Sequence, residues 1–174
     1  MQQHSFGVRR LTELAVLTSV SLIMFIIEMQ LPPVVPIPGV KLGLANIITV
    51  YAVYCYKPQE AALIFSVRVI IGALFSGNIT ALIFSFSGGL LCLLGMLVIS
   101  RITDINMIIA ASVLGAVLHN IGQTAAAVFV MRTTAVIAYL PFLLFSGCIA
   151  GAFTGACALL VIRRIRPKRK KEGK

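Results

Sequence analysis

Three stretches of this chain carry no Asp, Glu, Lys or Arg: Val69 to Ser100, Ile105 to Met131 and Thr133 to Ile162. Each is longer than the roughly 20 residues an α-helix needs to cross a hydrocarbon core of about 30 Å. A soluble fold would have to bury all three, and a chain of 174 residues has too little volume to do so. Residence in a membrane follows, and with it an all-α bundle. A helix satisfies its own backbone hydrogen bonds where water is absent. Composition agrees: 11% of residues are charged and the mean hydropathy is +1.02, whereas a soluble domain is about 25% charged.

The apolar segments place six spans at about 11–31, 40–56, 58–76, 79–100, 106–131 and 135–162. They form a single domain, 1–162, followed by a basic tail, 163–174. The first span ends in Glu28-Met29-Gln30-Leu31-Pro32-Pro33 and not in a small-residue cleavage site, so it is expected to stay uncleaved. The second is the shortest. Leu42 to Tyr56 reaches only about 22 Å as a helix, and a re-entrant segment is the alternative.

Basic residues orient the chain. With both ends in the cytoplasm, Arg9, Arg10, Lys57, Arg101 and the eight basic residues of the tail all fall inside. Only Lys41 and Arg132 fall outside, a strong positive-inside bias that requires an even number of spans. The net charge of +10 is thereby assigned to anionic lipid at the membrane surface, with no nucleic-acid partner expected. Between the first two spans, four prolines within Leu31 to Lys41 exclude helix and predict an extended loop over the outer face. Such a loop could cap a pocket or simply connect.

Arg68 falls about 15 Å into the third span, near the bilayer midplane. A cation there is costly and normally faces a cavity or a partner. A ligand contact, an ion pair with Glu28, or hydrogen bonds to backbone carbonyls are the readings open to it. Other polar groups gather in the outer half: Glu28, Lys41, Asn46 and Asn78, and then His119, Asn120 and Gln123 within five residues of one span. His119 and Gln123 share a helix face. Since hydrocarbon supplies no hydrogen bonds, these groups either lock helices together or surround a ligand. If they converge with Arg68 and Lys41, an anion such as a carboxylate or a diphosphate suits the site.

Gly147, Gly151 and Gly155 form a GxxxGxxxG series, and Ala15 and Ser19 a weaker small-residue pair. Both patterns let helices approach closely, within the bundle or against a partner subunit. The four cysteines, Cys55, Cys92, Cys148 and Cys157, form no CxxC and read as small hydrophobic residues. No metal, cofactor or disulfide is expected. The chain has no Walker loop, no GxSxG and no DDxxD cluster among its five acidic residues, so no catalytic residue is assigned. Thr154-Gly155-Ala156-Cys157 lacks the terminal Ser or Thr to which flavin is attached in membrane redox subunits.

The segment Pro38-Gly39-Val40-Lys41-Leu42-Gly43-Leu44-Ala45-Asn46-Ile47 resembles the signature of a bacterial membrane family known as heptaprenyl diphosphate synthase component I, or Gx transporters. Gly115 to Gln123 is similar to the same family. That family in turn resembles the substrate-binding S components of energy-coupling-factor (ECF) transporters. The resemblance implies six helices with cytoplasmic ends in the bacterial inner membrane, and an outer loop over a pocket. It also implies small residues on the first helix that meet a coupling subunit served by ATPases. Here the expected Ala-xxx-Ala of that contact is Ala15-xxx-Ser19.

Three functions are consistent with these features. The first is a non-enzymatic subunit that binds or transports a small, partly hydrophobic anion such as an isoprenoid or quinone precursor. The second is an accessory subunit for a soluble polyprenyl diphosphate synthase in menaquinone synthesis. The third is a member of a quinone- or flavin-linked redox assembly.

Overall fold

The computed structural model describes residues 7–30, 43–77 and 79–165. Among them every element is helical: α1 (Val8–Gln30), α2 (Leu44–Cys55), α3 (Pro58–Ser76), α4 (Ile79–Ile102), α5 (Ile108–Met131) and α6 (Leu140–Ile165), with short 3-10 turns leading into α5 and α6. The proline-rich loop, Lys41, Asn78 and the tail beyond Ile165 lie outside the described residues.

Five helical segments are long and apolar enough to cross a membrane: Val8–Gln30, Pro58–Ser76, Leu82–Ile102, Ile105–Met131 and Thr134–Ile165. Their outward faces are apolar. Leu74, Ile79, Val98, Phe129, Phe145 and Leu160 are all more than 60% exposed, a surface that lipid, unlike water, accommodates. The chain is a membrane protein.

The expected second span is where the structure departs from the hydropathy reading. Instead of 40–56, α2 has 12 residues, which reach about 18 Å and do not cross the hydrocarbon alone. Its start is set by Gly43 at φ +74°, a left-handed conformation that glycine adopts without steric cost. Although short, α2 is the most enclosed helix, with Ala45, Thr49, Val50, Tyr51, Ala52, Val53 and Cys55 buried. It forms much of the core together with Ile64, Phe65, Leu93, Met96 and Ile162.

Helix α1 lies along α2 and is fastened to it near both ends. At one end the Glu28 carboxylate accepts the Gly43 and Leu44 N–H groups at 2.6 and 3.1 Å. At the other, Arg10 stacks over the Tyr56 ring at 4.2 Å. It also donates twice to the buried Glu60, at 2.8 and 2.7 Å. Glu60 in addition accepts the Lys57 N–H at 2.8 Å, which caps α3 behind Pro58. The two contacts fix α2 antiparallel to α1, so the chain reverses direction there even though α2 is short. Between them only Leu14 and Ser21 of α1 are buried. The Ser21 hydroxyl donates to the Ala45 carbonyl at 3.2 Å.

The second half is held by close backbone approach. A Cβ on Gly151 would stand 2.8 Å from Val113 Cα and 3.0 Å from the Ser112 carbonyl oxygen; one on Gly155 would meet Ser112 Cβ at 2.8 Å and Ile109 Cα at 2.9 Å. A Cβ on Gly147 would run into the Asn120 amide. The GxxxGxxxG series is therefore the seam between α6 and α5, an intramolecular contact. Ser112 and Thr154 hydrogen-bond across it at 3.0 Å. On the opposite side of α5, Gly122 and Gly88 do the same for α4: a Cβ on Gly122 would meet the Ser87 carbonyl oxygen at 2.9 Å, and one on Gly88 the His119 carbonyl oxygen at 2.7 Å. Ala15 and Ser19, by contrast, are exposed on α1, and the Ser19 hydroxyl is turned back onto the Ala15 carbonyl at 2.9 Å.

Backbone atoms cannot yield as a flexible side chain can, so Gly151→Ile should destabilise the bundle by about 2–3 kcal/mol, within the range for overpacking. Gly7→Ala, which meets nothing within 4 Å, should leave it unchanged. Thermal unfolding in detergent, followed by loss of helical circular dichroism, separates the two outcomes.

Candidate functional site

All six helices contribute to one cavity of about 360 Å³. It lies in the half of the bundle away from the two described chain ends, beside the C-terminal part of α1, the start of α2 and the first half of α6. Phe25, Met29, Val69 and Leu82 give it apolar walls. Its polar lining includes Glu28, Asn46, Arg68, His119, Asn120 and Gln123, six of the residues the sequence singles out. They come from α1, α2, α3 and α5, so it is the fold that brings them together.

Arg68 is the centre of this lining. It is 8% exposed and sits three residues along α3 from Phe65, with its guanidinium carbon 5.7 Å from that ring. One terminal nitrogen donates to Asn46 Oδ1 at 3.3 Å, while Nε has no hydrogen-bond partner among the described residues. The ion pair with Glu28 that the sequence leaves open does not form. Among the described residues, the salt bridges are those of Arg9 and Arg10 with Glu13 and Glu60. A guanidinium removed from water needs a compensating acceptor, and the one it has is a neutral amide.

Glu28 is spent elsewhere. Its two oxygens close the N-terminus of α2, where unpaired N–H groups and the helix dipole both favour an anion. Asn120 is also engaged, since its amide donates to the Leu143 carbonyl at 2.6 Å and fills the notch left by Gly147. It therefore joins α5 to α6 while presenting a face to the cavity. His119 and Gln123 line the cavity from the same face of α5, as their spacing predicts. Gly147 and Gly151 line it too, as the floor on the α6 side.

Sequence reasoning overlooks the hydroxyls of the lining: Ser76, Ser85, Ser146 and Thr154. Three of them bond their own helix, Ser76 to the Ala73 carbonyl at 3.0 Å, Ser146 to Leu143 at 3.1 Å and Thr154 to Gly151 at 3.1 Å. A hydroxyl that satisfies itself this way sits in an apolar helix without any sequence signal. Spacing gives a partial one for Thr154, which stands three residues after Gly151 on the α5-facing stripe.

Fold and site together define a polytopic α-helical membrane protein with a partly open, largely apolar cavity that carries polar groups from several of its helices. The chain belongs to the heptaprenyl diphosphate synthase component I family, whose model matches residues 17–161. No curated protein and no solved structure matches it.

The different engagement of neighbouring side chains has a measurable consequence. Asn120→Leu should lower bundle stability by about 1 kcal/mol, because the bond from α5 to the Leu143 carbonyl is lost while that carbonyl keeps the Ser146 hydroxyl. Gln123→Leu, which breaks no such bond between helices, should change stability by less than about 1 kcal/mol. Unfolding of both variants in the same detergent checks this.

Proposed function

We propose that this chain is a non-enzymatic membrane subunit that holds a small, partly apolar, anionic ligand between its helices and serves a separate soluble subunit of polyprenyl diphosphate synthesis. The observation that carries the ligand is Arg68: a buried guanidinium on the wall of a cavity, hydrogen-bonded among the described residues to the neutral Asn46 amide. Intramembrane cations in such positions face a substrate pathway or a partner as a rule. Asn46, His119 and Gln123 surround the bound anion in this reading, and the side chains of Phe25, Met29 and Leu82 meet its apolar part. Asn78 and Lys41 are proposed to complete the site from the adjoining segments.

The family supports the partner. A synthase described by components requires a second chain, and this one lacks the paired Asp-rich motifs that hold magnesium and diphosphate in prenyl diphosphate synthases. Catalysis therefore falls to the other component. Co-purification with a soluble subunit carrying two DDxxD motifs, and a change in product chain length when this chain is deleted, are the expected results. An unchanged product would remove the accessory role.

Transport is a second reading, favoured by a cavity that all six helices enclose within one half of a membrane bundle. It resembles the arrangement expected of an ECF S component, and it requires an ATP-driven partner, with Ala15 and Ser19 on the exposed face of α1 as the contact. ATP-dependent uptake into vesicles containing both partners would support it over the accessory role.

Either way the cavity must hold its ligand through Arg68. Mass spectrometry of the purified chain should reveal a co-bound small molecule, and Arg68→Ala should abolish its retention. A charged hydrogen bond is worth about 1.5–3 kcal/mol, so affinity should fall at least about tenfold. Unchanged retention would sink the site.

A further inference from the structure

Of the helices that wall the cavity, α1 is held most loosely. Helices α4, α5 and α6 meet at glycines where an added Cβ would stand 2.7 to 2.9 Å from backbone atoms of the neighbouring helix. Helix α1 packs mainly against α2 and α3, and only its Leu14 and Ser21 are buried. Yet its last two turns supply Phe25, Glu28 and Met29 to the cavity. The other side of the same stretch points outward, with Ile23 56% and Ile27 45% exposed. Among the described residues a single helix therefore stands between cavity and lipid here, and no glycine seam locks it.

The two ends of α1 are fastened unequally. At the Arg10 end, the guanidinium grips the Glu60 carboxylate with two bonds and lies over the Tyr56 ring. Glu60 is only 4% exposed, so parting the pair would strand a buried carboxylate without its cation. At the other end each group has an alternative. Glu28 is half-buried and close to the end of α1, where water can replace the Gly43 and Leu44 N–H groups as its partners. The Ser21 hydroxyl, once released from the Ala45 carbonyl, can turn back onto its own helix as those of Thr18 and Ser19 do. Phe25 rests in the notch left by Gly72, where a Cβ would meet its ring at 2.9 Å. Its ring has no hydrogen bond to break on leaving.

We propose that α1 is a hinged wall. It pivots on the Arg10–Glu60 anchor, its Glu28 end swings away from α2 and α3, and the cavity opens sideways into the bilayer. The occupant is then an amphiphile that arrives dissolved in lipid, and Glu28 is the latch that shuts the wall behind it. This rests on the reading of the cavity as a ligand site and adds the route into it.

Ala150→Cys places a thiol on the α6 side of the cavity, in a chain whose Cys148 and Cys157 are replaced by Ala. Ser21→Cys with Ala45→Cys bolts α1 to α2, where the Ser21 hydroxyl stands 3.2 Å from the Ala45 carbonyl oxygen. The full chain in lipid nanodiscs is treated with N-dodecylmaleimide, which resides in lipid, or with a membrane-impermeant sulfonated methanethiosulfonate. Mass spectrometry then counts adducts at position 150. The lipid-borne reagent should react at least about tenfold more slowly with the bolt oxidised than with it reduced. In the unbolted chain Glu28→Ala should speed that reaction at least about tenfold, since hydrogen bonds to a charged group are lost. This variant carries no engineered disulfide and keeps the test decisive where the bolt disturbs packing. Equal rates with the bolt oxidised and reduced, or modification by the water-borne reagent alone, would overturn the proposal. So would equal acceleration of both reagents by Glu28→Ala, the mark of general loosening. Ligand retention in Arg68→Ala bears on the site and bolt-sensitive modification bears on the wall, so the two readings fail separately.

Discussion

A carboxylate from one helix closing the N-terminus of another is the interaction on which this bundle turns. In hydrocarbon the first N–H groups of α2 have no water to bond, and each left unpaired would cost several kcal/mol. Glu28 satisfies two of them, and the helix dipole in turn stabilises the Glu28 charge. This mutual compensation lets a helix of only 12 residues begin inside the membrane protein. It also registers α1 against α2 and places Asn46 one turn below, opposite Arg68. With the Glu28 oxygens committed to α2, Arg68 forms no salt bridge among the described residues and donates instead to the neutral Asn46 amide.

The two halves of the molecule are stabilised by different means. Helices α4, α5 and α6 meet through glycine seams, where contact is van der Waals packing of backbone on backbone and the small Ser112–Thr154 bond. Helix α1 has no such seam. It buries two residues and depends on polar fastenings near its ends, Glu28 at one and Arg10 with Glu60 at the other. Glycine seams tolerate little displacement, since a shift of one turn brings side chains into the gap. Polar fastenings can open and re-form as units. The cavity lies between the rigid half and the fastened half, with His119 and Gln123 on the first and Glu28 and Phe25 on the second.

Much of this was legible in the sequence, and the parts that were not share a cause. Long charge-free runs report burial in lipid directly, so the helices from α3 onward matched their expected bounds closely, as the span 58–76 did for α3. Polar residues among the apolar spans stood out for the same reason: His119, Asn120 and Gln123 within a charge-free run, and Glu28, Asn46 and Arg68 in earlier spans, all line one cavity. The shortness of α2 was legible, but its start was not, because that is set by a left-handed glycine and by a carboxylate 15 residues upstream, neither of which changes hydropathy. The partner of Arg10 lies 50 residues away at Glu60, a pairing that only the fold creates. Whether Arg68 paired with Glu28 was open for a similar reason: spacing can place both in the outer half, but only geometry shows that the backbone of α2 claims the carboxylate first.

Membership of a synthase family and the lack of paired Asp-rich motifs in this sequence are compatible where a synthase is built from components. A catalytic prenyl diphosphate synthase needs clustered carboxylates to gather metal ions around a highly charged substrate, and such clusters do not survive well in a membrane interior, where each added charge must be paired. This chain has gone the other way. Among the described residues it brings two charged side chains to its cavity: Glu28 holds the N-terminus of α2, and Arg68 donates to Asn46. In the reading proposed above, the chemistry resides in a soluble component, and the membrane component contributes a binding site lined by groups from several helices.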